Sequence, residues 1–485
     1  MDELLLGIDV GTTAVKVALF DTSGRLVASH ATPYPIRRPR PGWAEQDPLD
    51  WWRGCVAGIR AVSTGVPAGA IRSAGVVSQV NTHVFADEYL NPLGPAIIWQ
   101  DQRCASVARE LDGRFTAADK VRIWGDEVVL DASFVGSRAT WFAREEPDRW
   151  ARTRWVLSPK DFVVAKLTGR VATDALSGVR ICGRDGYLPD AVALVDGLAE
   201  RLPVLLPPEA PLGRVEPDIA GSGCAATVVV GTMDAFGAVF GTRTTEPGRA
   251  MVSCGTSLIV AGASRESLPA KGIITFPPRG ELFVHAGPTQ AAGDAVRWWS
   301  RVSGLSVDDV FASAVHGRSG TVFTPYLAGE RAPLWDVDVR ASFLGLSADT
   351  TQADLSRAVL DGVAMSGRHV LEAVEQACGL ALPSVTLSGG GARSALWAQI
   401  HADVLKRPVE RLRVHDSAAL GAALLGAVGA GTFPDVETAA AATVAVERVF
   451  TPATDLDPLY EAYRMSYDAL RDVHARLAGI GPLAP

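Results

Sequence analysis

The 485-residue sequence lacks the features that would class it at once. Its six cysteines, at positions 55, 104, 182, 224, 254 and 378, never stand within four residues of one another. Zinc-ligand spacings and redox pairs are therefore excluded, and six scattered thiols do not make a disulfide framework. A reducing, cytoplasmic compartment is the expected setting. Basic excess is missing too: 46 Lys and Arg face 54 Asp and Glu, a net charge of -8, which argues against a duplex nucleic-acid binder. No uninterrupted apolar run approaches the ~20 residues of a membrane span. The opening Met1-Asp2-Glu3, followed by Leu4-Leu5-Leu6, has no basic stretch, so no secretory signal is expected.

What is present is ordinary globular composition, 48% hydrophobic and 21% charged. Single cores stop growing at roughly 250–300 residues, so two domains with a cleft between them are expected. The first thirty residues read as a β-meander. Leu4 to Val10 is an apolar strand, Gly11-Thr12-Thr13 a turn, and Ala14 to Phe20 alternates with Val15, Val17 and Leu19 on one face. Arg25 to Ala28 pairs back after a second turn at Asp21 to Gly24. Pro33 to Pro48 reads as a surface loop leading to a helix start at Leu49-Asp50-Trp51-Trp52.

A similar unit recurs near the middle. Ala226 to Val230 runs into Gly231-Thr232-Met233-Asp234, and Arg249 to Cys254 runs through Gly255-Thr256-Ser257 into Leu258-Ile259-Val260. A strand–Gly-Thr turn–strand unit in each half predicts two related domains. Gly, Thr and Pro cluster at Gly241 to Gly248, which places the boundary there and gives domains 1–243 and 244–485. Farther on, Ser384 to Ser388 is a strand ending in Gly389-Gly390-Gly391. Leu396 to Leu405 is a helix, and Asp416 to Val428 a small-residue helix packing through Leu420, Leu424, Ala427 and Val428. Strands alternating with helices indicate α/β layers.

Four motifs can carry chemistry. Asp9-Val10-Gly11-Thr12-Thr13, followed by Lys16, offers backbone N–H groups and hydroxyls to an anion, and a strand-end carboxylate that could bind Mg²⁺ through water. Cys254-Gly255-Thr256-Ser257 is its partner turn. Each could equally be a plain hairpin turn. Asp234, at the start of a Gly/Ala-rich helix, is placed to accept a proton from a substrate hydroxyl, or simply to cap that helix. Ser388 to Ser394 puts three glycines between strand and helix, a flat slot for a purine or a tight turn. It is neither a Walker A loop nor a dinucleotide fingerprint.

Together these resemble the FGGY carbohydrate kinase family of the actin-like ATPase superfamily. The stretch Gly42 to Pro48 with Trp51-Trp52, the segment Ile98 to Arg103, Leu157 to Gly169, Pro325 to Pro333, the triple-Gly loop and Ala418 to Ala423 are similar to that family's ordered motifs. The resemblance covers nearly the whole chain. It implies two ribonuclease-H-like α/β domains, the first holding sugar and the catalytic Asp, the second holding adenosine, with ATP in the cleft. It implies phosphorylation of a hydroxyl of a ketose, polyol or sugar acid by MgATP. Asp234 would be the base, and Asp9 and Asp234 would organise Mg²⁺. Thr12, Thr13, Lys16, Gly255 and Thr256 would take the phosphates, and Gly293, Gly390, Gly391 and Ala392 would line the nucleotide site. Val80, Asn81, His83, Trp99, Asp101 and Asp234 would form the sugar pocket. Arg103, Lys160 and Arg331 read as structural pairs.

Within the family the chain is similar to the xylulokinase branch, with two departures. That branch carries Met-His-Gly in the segment where this chain reads Ser78-Gln79-Val80-Asn81-Thr82-His83, and Asn after the base where Ala235 stands here. Asn81 both donates and accepts, so it can replace some lost contacts. D-xylulose is the first candidate; ribulose, erythrulose, glycerol and gluconate are alternatives. A homodimer is an assembly this reading allows. Two other classes compete: an actin- or chaperone-like nucleotide switch, which would leave the Trp43, Trp99 and Pro325 segments unexplained, and a sugar-binding pseudokinase, which would have lost a catalytic residue.

Overall fold

The structure is a computed structural model that describes residues 3–125, 127–216, 226–318 and 320–480. Met1, Asp2 and Cys224 lie outside the described residues. The chain forms two compact units, Met1–Gly241 with Ala418–Thr443, and Thr242–Ser417 with Val444–Pro485.

The first unit is built on a seven-stranded sheet in the order Pro211–Arg214, Thr227–Val229, Ile71–Ser78, Leu4–Val10, Ala14–Asp21, Leu26–Pro33, with Thr232–Met233 also paired to Ile71–Ser78. Leu4–Val10 and Ile71–Ser78 run parallel, and the meander Leu4–Val10, Ala14–Asp21, Leu26–Pro33 is antiparallel. Leu5, Leu6, Ile8 and Val10 are fully buried, as expected of a central strand covered on both faces. Helix Pro48–Val62 begins at Asp47, whose carboxylate accepts from Leu49 N, with Pro48 in the first turn. It buries Trp51, Cys55, Ile59 and Val62 in the core formed with Val15 and Val17.

The second unit repeats the plan. Its seven strands run Ile274–Thr275, Phe283–Pro288, Leu258–Ser264, Ala250–Cys254, Val385–Ser388, Val409–Leu412, Val446–Phe450. Ala250–Cys254 and Val385–Ser388 are the parallel pair, and Ala250–Cys254 and Leu258–Ser264 form the antiparallel hairpin. An antiparallel meander followed by parallel strands on its first member is common to both units, so the Gly-Thr turns stand at corresponding places. Helix Gln352–Cys378 opens on a Thr351–Asp354 capping box and ends at Gly379; its Val359, Val363, Val370 and Val374 are buried in this unit's core.

Two expectations need correction. The domain division at 243/244 falls close to the observed edge after Gly241, but Ala418–Thr443 belongs to the first unit. The cause is close backbone contact. A Cβ at Gly7 would lie 1.9 Å from Ala419 O, one at Gly75 1.8 Å from Ala422 O, and one at Gly421 1.9 Å from Gly237 O. Helix Ser417–Gly429 therefore lies directly on the backbones of two strands and of helix Asp234–Gly241, which only facing small residues allow. The second correction concerns Pro33 to Pro48. It is not simply a surface loop, because Tyr34, Ala44 and Gln46 are buried and Glu45–Gln46 pairs with Ala96–Ile97.

Candidate active site

In the first unit, Val77 is flanked by Asp9 on one side and Thr232 on the other. Asp234 follows that short edge strand directly and opens helix Asp234–Gly241. The two acidic residues thus stand at the ends of the strands on either side of Ile71–Ser78, at the same rim of the sheet. Gly231 makes this possible. Its φ is +76°, and a Cβ there would lie 2.0 Å from Val76 O, so no other residue lets the chain turn in so tightly. Burial, reinforced by the charge of Asp9, pushes the Asp234 carboxyl up to about 7, the direction expected of a proton acceptor working near neutral pH. Its Oδ1 accepts from Ala235 N at 2.7 Å.

The strand before Asp234 is anchored from behind. Thr232 Oγ1 donates to Asp174 at 2.8 Å, and Asp174 pairs with Lys160 Nζ at 3.0 Å. Lys160 is fully buried, also meets Asp161 at 2.5 Å, and its N–H donates to Ser78 Oγ at 3.1 Å. Burial alone would lower the Lys160 ammonium, but Asp161 and Asp174 outweigh it and hold it above its usual value. The structural pairing expected of Lys160 is what its contacts give.

The turn after Val10 is held on several sides. Gly11 N donates to Ala14 O, and Tyr34 N to Thr13 O, both at 3.1 Å; the Tyr34 hydroxyl donates to Gly11 O. Gln46 Nε2 donates to Thr12 O at 2.6 Å, and Gln46 Oε1 accepts from Gln79 Nε2 at 2.8 Å and Trp51 Nε1 at 3.2 Å. Trp99 Nε1 donates to Thr12 Oγ1 at 3.1 Å. Thr13 is exposed. Lys16 stands cross-strand to Asp9.

The expected sugar-contacting residues divide. Val80, Asn81, His83 and Trp99 are partly exposed, and Asn81 has φ +53°. Thr82 Oγ1 accepts from Trp99 N at 3.2 Å, and His83 and Ile97 exchange backbone hydrogen bonds at 3.1 Å, so these four share one bonded framework with the Thr12 turn. Asp101 does not fit the expected pocket role. It is fully buried, accepts from Ala44 N at 2.6 Å and from Arg103 N and Nε at 2.9 Å, and has no exposed oxygen for a sugar. Arg103 also meets Glu45 at 2.8 Å and lies 3.6 Å over the Trp43 ring. Asp101 and Arg103 are a latch on the Trp43–Glu45 segment.

In the second unit, Gly255, Thr256 and Gly293 come together. Gly293 N donates to Gly255 O at 3.0 Å, and Ala292 N and Asp294 N donate to Thr256 O at 2.9 and 3.1 Å. These first N–H groups of helix Gly293–Ser303 are thus spent on the turn. The triple-Gly loop divides likewise. Cβ atoms at Gly389 and Gly391 would strike Cys254, whereas Gly390 faces open space. Ala392 is fully buried, so the expectation that it lines an open slot fails for its side chain. The loop is a short 3-10 turn, Gly390–Arg393, followed by helix Ala395–Leu405, whose cap Ser394 accepts from Trp397 N. Glu330 is buried and accepts from Gln290 N at 2.6 Å and Arg331 N at 2.8 Å. Arg331 donates to Thr289 O.

Sequence reasoning missed Gln46, Gln79, Asp174 and Thr232, which have no chemical signature of their own, and Arg138. The sign of Arg138 was its setting: Gly136-Ser137 and Ala139-Thr140 flank it, small residues of the kind that line a helix packed all round.

Comparison with known proteins agrees with this construction. Residues 4–241 match the N-terminal domain, and residues 250–430 the C-terminal domain, of the FGGY family of carbohydrate kinases. The chain is 30% identical to a xylulose kinase of Escherichia coli (strain K12), covering 88% of this chain and 90% of that protein. It is also 30% identical to a glycerol kinase of Citrifermentans bemidjiense, covering 95% and 97%. Among solved structures, a xyloylose kinase from Brucella ovis superposes with a TM-score of 0.86 at 29% identity, covering 97% of this chain and 100% of that one. No helix among the described residues is long and apolar enough to cross a membrane. With both domain models matched over most of its length, the chain belongs to the FGGY family of carbohydrate kinases, enzymes that take a sugar and ATP as substrates.

Proposed function

We propose that this kinase transfers the γ-phosphoryl group of ATP to a primary hydroxyl of a small ketose or polyol, with D-xylulose the first substrate to test. Asp234 accepts the hydroxyl proton while the hydroxyl oxygen bonds to phosphorus and ADP leaves. The observation that carries this reading is the carboxylate of Asp234, one residue past a strand end, neighbour to Asp9 and raised to about 7. A base of that strength is ionised in useful measure at neutral pH and still takes a proton readily.

Thr12, Thr13 and Lys16 bind phosphate oxygens, as do the exposed Gly255 and Thr256; Gly390 leaves room for the base. Asp9 and Asp234 suit Mg²⁺. A carboxylate whose proton affinity is raised by the charge of a second one gains from a divalent cation between them. A set of only two protein carboxylates also matches an ion that keeps most of its ligands as water and phosphate. Mg²⁺ would neutralise charge on the transferring phosphates. Val80, Asn81 and His83 contact the sugar. Val80 and Ala235 replace side chains that the xylulokinase branch carries, so the pocket has fewer fixed polar partners, and substrate rank follows from those that remain. The buried, unpaired thiols at Cys55, Cys104, Cys182, Cys254 and Cys378 suit a reducing cytoplasm.

The test is ADP release against ketopentoses, ketotetroses, pentitols, glycerol and gluconate. D-xylulose is expected to give the highest kcat/KM, and Asp234→Asn to lose at least about 10³-fold while still binding ATP. Preference for glycerol or gluconate would replace the substrate. An Asp234→Asn variant with near-normal turnover would remove the base.

A further inference from the structure

Arg138 lies fully buried in helix Val135–Glu145, yet among the described residues no carboxylate is recorded in ion-pair contact with it. Its guanidinium instead donates to backbone carbonyls: Asn81 O, Ile97 O at 2.7 Å, Ile98 O at 2.6 Å and Ala132 O at 3.3 Å. Its Nη1, which carries two hydrogens, faces Asn81 O and Ile97 O and also His83 Nδ1 at 3.0 Å, so one of these N–H groups is shared between a carbonyl and the imidazole. Arginine keeps its proton and carries no acceptor. In this contact the guanidinium must therefore donate and Nδ1 must accept. A neutral imidazole has one acceptor nitrogen and one N–H, so the hydrogen of His83 sits on Nε2.

We propose that Arg138 is a positioning residue that locks His83 in its Nε2–H form, making His83 a donor-only contact for the carbonyl oxygen of a ketose substrate. This rests on the reading of the chain as a sugar kinase whose acceptor lies beside Asn81 and His83. The framework already described connects His83 to that site: its backbone bridges to Ile97, two residues before Trp99, and Trp99 holds Thr12 of the phosphate turn. The chemistry selects among sugars. A ketone oxygen only accepts hydrogen bonds and is the full complement of a donor-only group. A pentitol hydroxyl at the same carbon must turn its own hydrogen elsewhere and find it a partner, which a buried site penalises. Arg138 also keeps His83 from charging. Burial, joined by the guanidinium charge, holds the imidazole well below its usual value. Around Arg138 itself, Asp101 and Asp131 are the favourable charges and Arg103 the unfavourable one, and the charge acting on His83 is that of Arg138. The lock therefore holds across neutral pH, and His83 cannot serve as a base.

Two measurements on the full-length protein test this. A long-range proton–nitrogen spectrum of protein labelled with ¹⁵N-histidine, assigned by the signals lost in His83→Gln, should show His83 as the Nε2–H form, without titration between about pH 5.5 and 8.5. An Nδ1–H or doubly protonated ring would overturn the proposal, whatever the enzyme phosphorylates. Steady-state kinetics with D-xylulose and D-arabitol should show His83→Leu raising the D-xylulose KM about 10-fold, with the ATP KM unchanged and the ketose-over-pentitol preference reduced. His83→Gln, whose amide nitrogen reaches the position of Nε2, should restore most of that loss. Equal damage from Leu and Gln would overturn the donor role. Failure of the wild type to phosphorylate either sugar would overturn the ketose assignment and leave the tautomer to the spectrum.

Discussion

The indole nitrogen of Trp99 donates to the hydroxyl oxygen of Thr12 at 3.1 Å, which joins the segment after Ile97 to the turn after Val10. An oxygen that accepts from Trp99 has its own O–H left to aim elsewhere, and in the proposed complex that direction is a phosphate oxygen. Trp99→Phe keeps the ring and deletes only the donor. We expect it to raise the ATP KM or lower kcat about 5- to 10-fold while the sugar KM changes less, as befits one hydrogen bond. In a double-mutant cycle with Thr12→Val the two losses should be non-additive by about 1 kcal/mol. Additive losses would mean the contact carries no function.

The raised carboxyl of Asp234 sets a pH profile. If its ionised form takes the proton, kcat/KM for the free enzyme should fall on the acid side with an apparent midpoint near 7. Part of the elevation comes from the charge of Asp9, second to burial. Asp9→Asn removes a like charge, so the acid limb should move to lower pH even as the plateau drops. A limb that stays in place would mean another group titrates there.

Gly231 is the position where the chain tolerates least change near the site. Gly231→Ala places a methyl 2.0 Å from Val76 O at φ +76°. Strain and clash together should cost about 2–4 kcal/mol in urea unfolding, with activity falling further because Asp234 is three residues on. Gly390→Ala meets nothing within 4 Å and should leave stability unchanged within about 0.5 kcal/mol, while any steric effect shows in the ATP KM.

Lys160 is fully buried between Asp161 and Asp174. Lys160→Met strands two carboxylates without their cation and should destabilise the protein by about 3–5 kcal/mol. Because Asp174 also receives Thr232, the strand that delivers Asp234, a surviving variant should lose kcat more than sugar affinity. Thermal melting with steady-state kinetics separates the two effects.

Glu330 gives a stability profile with a definite sign. Burial raises its carboxyl to about 7, partly opposed by the donors Gln290 N and Arg331 N. A folded value above the unfolded one means the protonated form is favoured by folding. Its stabilisation is complete below about pH 4.5 and is lost as pH climbs through 7, a change of roughly 3 kcal/mol. Glu330→Gln should flatten the fall in melting temperature between about pH 5 and 8. An unchanged slope would assign the effect to other groups.

Much of the fold could be read from local pattern. The meander from Leu4, the paired Gly-Thr turns, the strand before Gly389 and the helix near Leu396 all depend on apolar runs and turn residues that interact within a few positions. The two-unit plan followed from chain length and the repeated hairpin. The places of Asp9 and Asp234 at strand ends and of Thr12 in a turn were legible because apolar runs and turn residues mark such positions in a sequence. Asp101 misled because a carboxylate among polar neighbours looks exposed, and only folding brought Ala44 and Arg103 onto it. Ala392 misled because a Gly-rich loop looks open, whereas Cys254 fills the space beside two of its glycines.

By itself the sequence determined the family, the two repeated hairpins, and the strand-end places of Asp9 and Asp234, since these rest on chemistry and spacing within short segments. Only the tertiary structure decided that Ala418–Thr443 belongs with the first unit, that Trp99 holds Thr12, and that Arg138 donates to His83. Those pairs are separated by tens to hundreds of positions, and the properties that matter — burial, which nitrogen carries a hydrogen, how closely two backbones approach — exist only once distant segments exclude water from between them.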